Sequence, residues 1–152
     1  MRKGLLIAVL GFLLVGPANG QPTGTLPSAF DGVGLDEQLG DEIPRDLPFL
    51  DERGNEVVIG SFFDGETPVL LNFVYHECPM LCSLMLTEFT KTLGDLHAEK
   101  GWTPGDQFDI VTVSFSPTEI PEMAARAKER HITQLGVEGA ADGWHFLTGS
   151  DE

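Results

Sequence analysis

Short apolar runs that are rich in β-forming residues recur along the chain and predict strands. Residues 68–75 (PVLLNFVY) are nearly all apolar, which indicates a central strand buried on both faces. Residues 108–115 (FDIVTVSF) predict a second buried strand, and residues 144–147 predict a third short one. Upstream, two short apolar stretches within residues 47–59 flank the polar turn Asp-Glu-Arg-Gly-Asn, and this arrangement predicts a β-hairpin.

Apolar residues at a spacing of three or four predict two helices between these strands. The first covers residues 80–100 and ends at Gly101, and Pro79 suits its first turn, where a missing N–H costs nothing. The second covers residues 117–130, with Pro121 in its first turn. Strand–helix–strand alternation implies parallel pairing, so the sequence predicts an α/β fold in which helices flank a central mixed sheet.

The first twenty residues have the layout of a secretory signal peptide. Arg2 and Lys3 precede an apolar run at residues 4–15, and small residues follow at positions 18–20. The apolar run is shorter than the about 20 residues that a membrane-spanning helix needs. We therefore expect cleavage before Gln21 and export of the protein to the periplasm or the outer face of the cytoplasmic membrane.

Composition divides the rest of the chain into a leader and a domain. Residues 21–40 contain prolines and several glycines without periodicity, which indicates a flexible leader, and residues 41–152 carry all the predicted elements. The formal net charge is −15, and loss of Arg2 and Lys3 with the signal peptide makes it −17. Because a surface this acidic repels nucleic acid, we expect no nucleic-acid partner.

Cys78 and Cys82 are the only two cysteines of the sequence, and they are four positions apart. A disulfide between such near neighbours closes a short loop and stabilises a fold little, so chemistry is a better reason for the pair. Both cysteines lie where a predicted strand meets a helix, on one helix face and near the positive end of the helix dipole. This position favours thiolates, which attack disulfides and bind soft metal ions such as Cu(I).

Histidine and methionine are the other side chains that bear on a metal site. A closed zinc site needs four ligands, so a single cysteine pair argues against structural zinc. We interpret His76, the nearest histidine, as an exposed loop residue that tunes the thiol pKa rather than as a ligand. Met85 is expected in the core, and the role of Met80 is open. The other histidines show no spacing that points to the cysteines, and we expect them on the surface or at strand edges: His97, His131 and His145.

The segment at residues 68–82 (PVLLNFVYHECPMLC) resembles the Sco/SenC family of copper-binding, thioredoxin-like proteins. In that family a cysteine pair with three intervening residues follows a strand that ends in an aromatic residue. The resemblance extends over residues 34–152. Further matches follow in the order of the family at residues 34–49, 51–54, 113–117 (VSFSP), 121–132 and 144–149 (WHFLTG).

This resemblance implies a thioredoxin-like fold and a metallochaperone that holds copper, as Cu(I) or Cu(II), through Cys78 and Cys82. It also implies delivery of copper to the binuclear copper site of a respiratory cytochrome c oxidase. The copper-site subunit of that oxidase is then the partner. Met80 and Ser116 stand where many members of the family have Asp. The third copper ligand of the family is a histidine beyond the WxFLTG segment, and none of the histidines here matches it. We therefore expect that the C-terminal part of the domain, with this ligand, is missing from this chain.

Two other functions use the same cysteines. In a thiol–disulfide oxidoreductase, Cys78 and Cys82 are a catalytic redox pair that acts on the cysteines of a partner, and a thioredoxin-like reductant is a further partner. Such enzymes usually have two residues between their cysteines, whereas this chain has three, which favours copper. A peroxiredoxin-like peroxidase needs an arginine near its reactive cysteine, and no arginine adjoins Cys78 in the sequence.

Overall fold

The computed structural model describes Gly34 and residues 36–149. The predicted signal peptide (residues 1–20) and most of the predicted leader (residues 21–40) lie outside the described residues. The unit from Asp41 onward is compact. Its elements are β1 (Pro48–Leu50), β2 (Glu56–Val58), a 3₁₀ turn (Ile59–Phe62), β3 (Val69–Val74), α1 (Leu81–Lys100), β4 (Asp109–Ser114), α2 (Pro121–Leu135) and β5 (Trp144–Gly149).

The strands form one mixed sheet in the order β2-β1-β5-β4-β3. Parallel pairing joins β3 to β4 and β4 to β5, whereas β1 is antiparallel to β2 and to β5. The helices connect the parallel strands, as strand–helix–strand alternation requires. The predicted hairpin and the predicted α/β fold with a central mixed sheet are therefore confirmed.

The prediction that β3 is central and buried on both faces is wrong for the described structure. β3 pairs only with β4, so it lies at the edge of the described sheet. Its residues Leu70 and Phe73 are 45% and 59% exposed, and only Val74 is fully buried. An apolar run indicates a capacity for burial, but the number of neighbouring strands decides how much of it is covered.

Both helices pack on one face of the sheet around two aromatic residues of β5, Trp144 and Phe146. The indole N–H of Trp144 donates to the hydroxyl of Thr112 at 2.9 Å, so its polar atom is satisfied inside the core. The opposite face of the sheet has a second, smaller core that the 3₁₀ turn covers. The fully buried hydrophobic residues that α1 and α2 contribute to the first core are small or aliphatic: Leu86, Leu93, Ala124 and Ala127.

The helix ends follow from proline and glycine. α1 ends at Gly101, which is left-handed (φ 71°) and donates its N–H to the carbonyl of His97 at 2.7 Å. α2 begins at Pro121, four residues later than predicted, because a proline fits the first helical position but not a position one turn inside. In the described part of the chain, no helix is both long enough and apolar enough to cross a membrane.

His131 is buried in the core, so its expected surface position is wrong. Its side chain is 2% exposed, and Nδ1 lies 3.0 Å from Oγ1 of Thr90. The ring stacks on Phe146 with an interplanar angle of 8°. Burial, together with the positive charge of Arg130, lowers the pKa of His131 to about 4. The neutral ring is therefore the form that packs in the core.

We expect acid to destabilise the fold through His131. Its ordinary pKa is 6.5, so between pH 6.5 and about 4 the unfolded chain takes up a proton that the folded protein does not. The stability from the neutral ring is complete above pH 6.5 and falls by about 2–3 kcal/mol as the pH drops towards 4. Urea unfolding at pH 7 and pH 4.5 should show a smaller acid loss for His131→Gln than for wild type. The exposed control His97→Gln should keep the wild-type loss, and an unchanged pH dependence in His131→Gln would contradict this account.

The turn before β5 requires glycine because two backbone segments meet there. A Cβ atom on Gly143 would lie 1.8 Å from the backbone nitrogen of Gly105. We therefore expect Gly143→Ala to lower the free energy of unfolding, measured with urea, by about 1–3 kcal/mol. A Cβ on Gly149 meets nothing within 4 Å, so Gly149→Ala should change stability by less than about 0.5 kcal/mol. Equal effects of the two substitutions would show that the close approach is not a constraint.

Candidate metal and thiol site

Cys78 and Cys82 lie on either side of the start of α1, directly after β3. Cys78 is in the loop that joins the two elements, and its N–H donates to the carbonyl of Tyr75. Cys82 is the second residue of the helix. Pro79 lies outside the helix rather than in its first turn, because Met80 is the N-cap and Leu81 the first helical residue. The strand-to-helix position that the sequence predicted for both cysteines is therefore the position found, but the prediction that both lie on one helix face is wrong, because Cys78 precedes the N-cap.

The N terminus of α1 surrounds the sulfur of Cys78 with hydrogen-bond donors. The backbone N–H groups of Met80, Cys82 and Leu81 and the thiol of Cys82 lower the pKa of Cys78. Unpaired N–H groups at a helix start favour a negative charge. The Ser83 hydroxyl holds the loop from the helix side by donating to the carbonyl of Cys78. Cys78 is therefore prepared to exist as a thiolate, as its position in the sequence suggested.

The two cysteines differ in their surroundings, although both are half-buried. Cys82 packs against the main core beneath α1. Cys78 instead lines a surface pocket of about 290 Å³ between the cysteine loop and the loop that joins β4 to α2. The pocket is lined by Tyr75, Glu77, Cys78, Pro79, Ser116, Thr118, Glu119 and Met123.

His76 is buried rather than exposed, so its interpretation as an exposed loop histidine is wrong. Only 1% of its side chain is exposed, and Nε2 lies 2.9 Å from the carbonyl oxygen of Leu147. A neutral ring that carries its proton on Nε2 can donate to this oxygen, and burial lowers the pKa of His76. Nδ1 is then a buried acceptor, and it has no hydrogen-bond partner among the described residues.

The methionines near the cysteines and the remaining histidines differ in their exposure. Met85 is 41% exposed, so the prediction that it belongs to the core is wrong, and Met80 is 77% exposed. His97 is exposed, as expected, and hydrogen-bonds to Thr103, whereas His145 is half-buried. The described residues contain no group of three or more His, Cys, Asp or Glu side chains placed to hold a metal ion. Within residues 36–149, the thiol pair therefore has no third ligand of these types beside it.

Residues that the sequence analysis did not identify hold the cysteine loop in place. Glu119, between β4 and α2, accepts hydrogen bonds from the backbone N–H groups of His76 and Glu77 at 2.8 and 2.9 Å. Arg126 and Arg130 of α2 donate to the Glu77 carboxylate and the His76 carbonyl, respectively. The one signal for Glu119 was its place just after a parallel strand, because neighbouring parallel strands end at the same edge of a sheet.

The described part of the chain is a thioredoxin-like α/β domain with a Cys-x-x-x-Cys pair at the start of a helix. A model of the SCO1/SenC family matches residues 36–147, and the chain belongs to this family. The family and the thioredoxin-like fold that the resemblance implied are therefore confirmed. Among curated protein sequences, none matches the chain significantly.

Solved structures share the fold over most of the chain. A proposed electron transfer protein from Aquifex aeolicus VF5 is 26% identical, with a TM-score of 0.55 over 72% of this chain and 57% of its own. A proposed electron transport protein from the same organism is also 26% identical, with a TM-score of 0.55 over 74% and 63%. Arabidopsis thaliana ScoI with copper bound is 15% identical, with a TM-score of 0.51 over 69% and 56%. The chain thus spans less than two thirds of the length of these solved proteins.

The surroundings of the cysteines predict an order of reactivity towards iodoacetamide. Cys78 should be labelled before Cys82, and at a lower pH than a free cysteine requires, because backbone N–H groups stabilise its thiolate. Cys82 should react later because it packs against the core. Timed labelling of the reduced protein from pH 6 to 9, read by mass spectrometry of the peptides, tests this order. Equal rates for both cysteines with an ordinary thiol pH profile would rule out the effect of the helix N terminus.

Proposed function

We propose that this protein is a copper metallochaperone that carries Cu(I) on Cys78 and Cys82. The observation that supports this most directly is the place of both cysteines at the start of α1, where backbone N–H groups and the Cys82 thiol lower the pKa of Cys78. Two soft donors therefore lie at a helix start that favours thiolates. Thiolates are the ligands that Cu(I) prefers, and a pair of them satisfies an ion that accepts low coordination.

The donor set suits Cu(I) better than Cu(II). Cu(II) prefers imidazole ligands in a tetragonal arrangement. The imidazole of His76, the histidine nearest in sequence, is buried and directed at the carbonyl of Leu147. We therefore propose that firm binding of Cu(II) needs a further histidine, supplied by the segment that the family resemblance places after the WxFLTG motif.

The family resemblance supports a destination for the copper, and the N-terminal sequence supports a location for the protein. We propose that the protein supplies the binuclear copper site of a respiratory cytochrome c oxidase and meets its copper-site subunit outside the cytoplasm. Residues 1–20 then act as the signal peptide, and residues 41–152 contribute to the copper-carrying domain. Without Arg2 and Lys3 the formal net charge is −17, which suits a cationic cargo.

Thiol–disulfide exchange is the second candidate function, and the pairing of an activated thiolate with a shielded thiol favours it. The Cys78 thiolate would attack a disulfide of a partner to form a mixed disulfide, and Cys82 would then displace the second sulfur of the partner. The partner gains two electrons and two protons, while Cys78 and Cys82 become a disulfide. A thioredoxin-like reductant would have to supply two electrons and two protons to restore the pair.

Copper titration under anaerobic conditions tests the metallochaperone. The reduced protein should bind one Cu(I) per chain in competition with a chromogenic chelator. Cys78→Ser and Cys82→Ser should each weaken binding by more than about 100-fold, since loss of a ligand should cost more than loss of a residue that only orients one. The control His97→Gln, at the far end of α1, should bind as wild type does. One tightly bound copper in both cysteine variants would show that the ligands lie elsewhere.

A further inference from the structure

One carboxylate holds the backbone just before Cys78. Oε2 of Glu119 accepts a hydrogen bond from the N–H of His76 at 2.8 Å, and Oε1 accepts one from the N–H of Glu77 at 2.9 Å. The hydroxyl of Ser114, at the end of β4, donates to the same carboxylate. Three donors therefore converge on a side chain that joins the loop after β3 to the end of β4.

Glu119 is suited to this contact as an anion. Burial tends to raise its pKa, but the hydrogen bonds from Ser114 and from the N–H groups of Glu77 and His76 outweigh burial, and the pKa lies below its usual value. Hydrogen bonds to an ionised acceptor are stronger than those between neutral groups. The carboxylate is therefore a firm anchor for two consecutive peptide groups.

Other contacts on the same two residues are fewer or weaker. Arg130 donates to the carbonyl of His76 at 3.1 Å, and the imidazole of His76 lies against the carbonyl of Leu147. Arg126 pairs with the Glu77 carboxylate, but these side chains are 55% and 41% exposed, so the ion pair contributes little. Glu119 is the group that pairs with both backbone N–H groups, so its loss would leave both without this acceptor.

The two cysteines differ in how they are anchored. Cys82 belongs to α1 and packs against the core, whereas Cys78 is joined to α1 by the Ser83 hydroxyl and follows the segment that Glu119 holds. We propose that Glu119 is a positioning residue that keeps the sulfur of Cys78 facing Cys82, and that it thereby sets how readily the pair closes as a disulfide or chelates Cu(I). The copper part of this inference rests on the proposed function, whereas the disulfide part does not.

Glu119 would act through the effective concentration of the Cys78 sulfur at the Cys82 sulfur. Groups held in reacting geometry behave as if they were highly concentrated, and freedom in the loop dilutes them. In the reaction with glutathione disulfide, the thiols of Cys78 and Cys82 lose two electrons and two protons. One glutathione disulfide takes them up and becomes two molecules of glutathione. A looser loop makes this closure less favourable.

Glutathione redox buffers test the inference on Glu119→Gln and Glu119→Ala. We expect the equilibrium constant for the Cys78–Cys82 disulfide to fall about tenfold, which is about 30 mV for a two-electron couple. Cu(I) affinity should fall by a similar factor, and the amides of His76 and Glu77 should exchange with solvent faster. The matched control is Glu122→Gln, an exposed carboxylate in the first turn of α2, which should keep wild-type values.

The outcomes separate the positioning role from the copper function. An unchanged or raised disulfide constant in folded Glu119→Gln would overturn the positioning role, even if thermal stability fell. If Glu119→Ala does not fold, Glu119→Gln decides, because it keeps the side-chain volume. A shifted disulfide constant in a protein that binds no Cu(I) would support the positioning role and reject the metallochaperone. Normal Cu(I) binding with an unshifted disulfide constant would reject the positioning role and support the metallochaperone.

Discussion

The site depends on the parallel arrangement of β3, β4 and β5, because parallel strands end at one edge of the sheet. The loop with Cys78 follows β3, the loop with Glu119 follows β4, and the carbonyl of Leu147 lies near the end of β5. These three points are far apart in sequence, yet hydrogen bonds join them within a few ångströms. The two helices pack on one face of these strands. The cysteine loop is therefore held by neighbours that only the topology supplies.

Two buried histidines connect this edge to the core. His76 and His131 both contact Phe146, with ring centroids 5.6 and 6.3 Å away, and burial lowers the pKa of each. Neutral imidazole is an uncharged aromatic ring with one donor and one acceptor, so it can fill core space if its donor is satisfied. The main chain of His76 meanwhile carries the contacts to Glu119 and Arg130. The backbone of His76 thus contributes hydrogen bonds to the site, while its ring packs in the core.

The proposed copper binding and the proposed reduction of a partner need the same chemical state. Each requires Cys78 as a thiolate near Cys82, and a Cys78–Cys82 disulfide blocks both until the pair is reduced again. The N terminus of α1 supplies the charge stabilisation for that state, and the Glu119 contacts hold the loop that presents it. The site therefore combines a local electrostatic feature, which a helix start always has, with a tertiary restraint from the loop that joins β4 to α2.

The sequence by itself determined the elements and the position of the thiol pair. Apolar runs and glycine or proline signals are local, so they identified β4, β5, the hairpin and the cysteines at the start of α1. Neighbours in space were decided only by the tertiary structure: the edge position of β3, the burial of His76 and His131, the exposure of Met85 and the role of Glu119. The physical reason is that burial and hydrogen bonding of a side chain depend on residues distant in sequence, which no local pattern records.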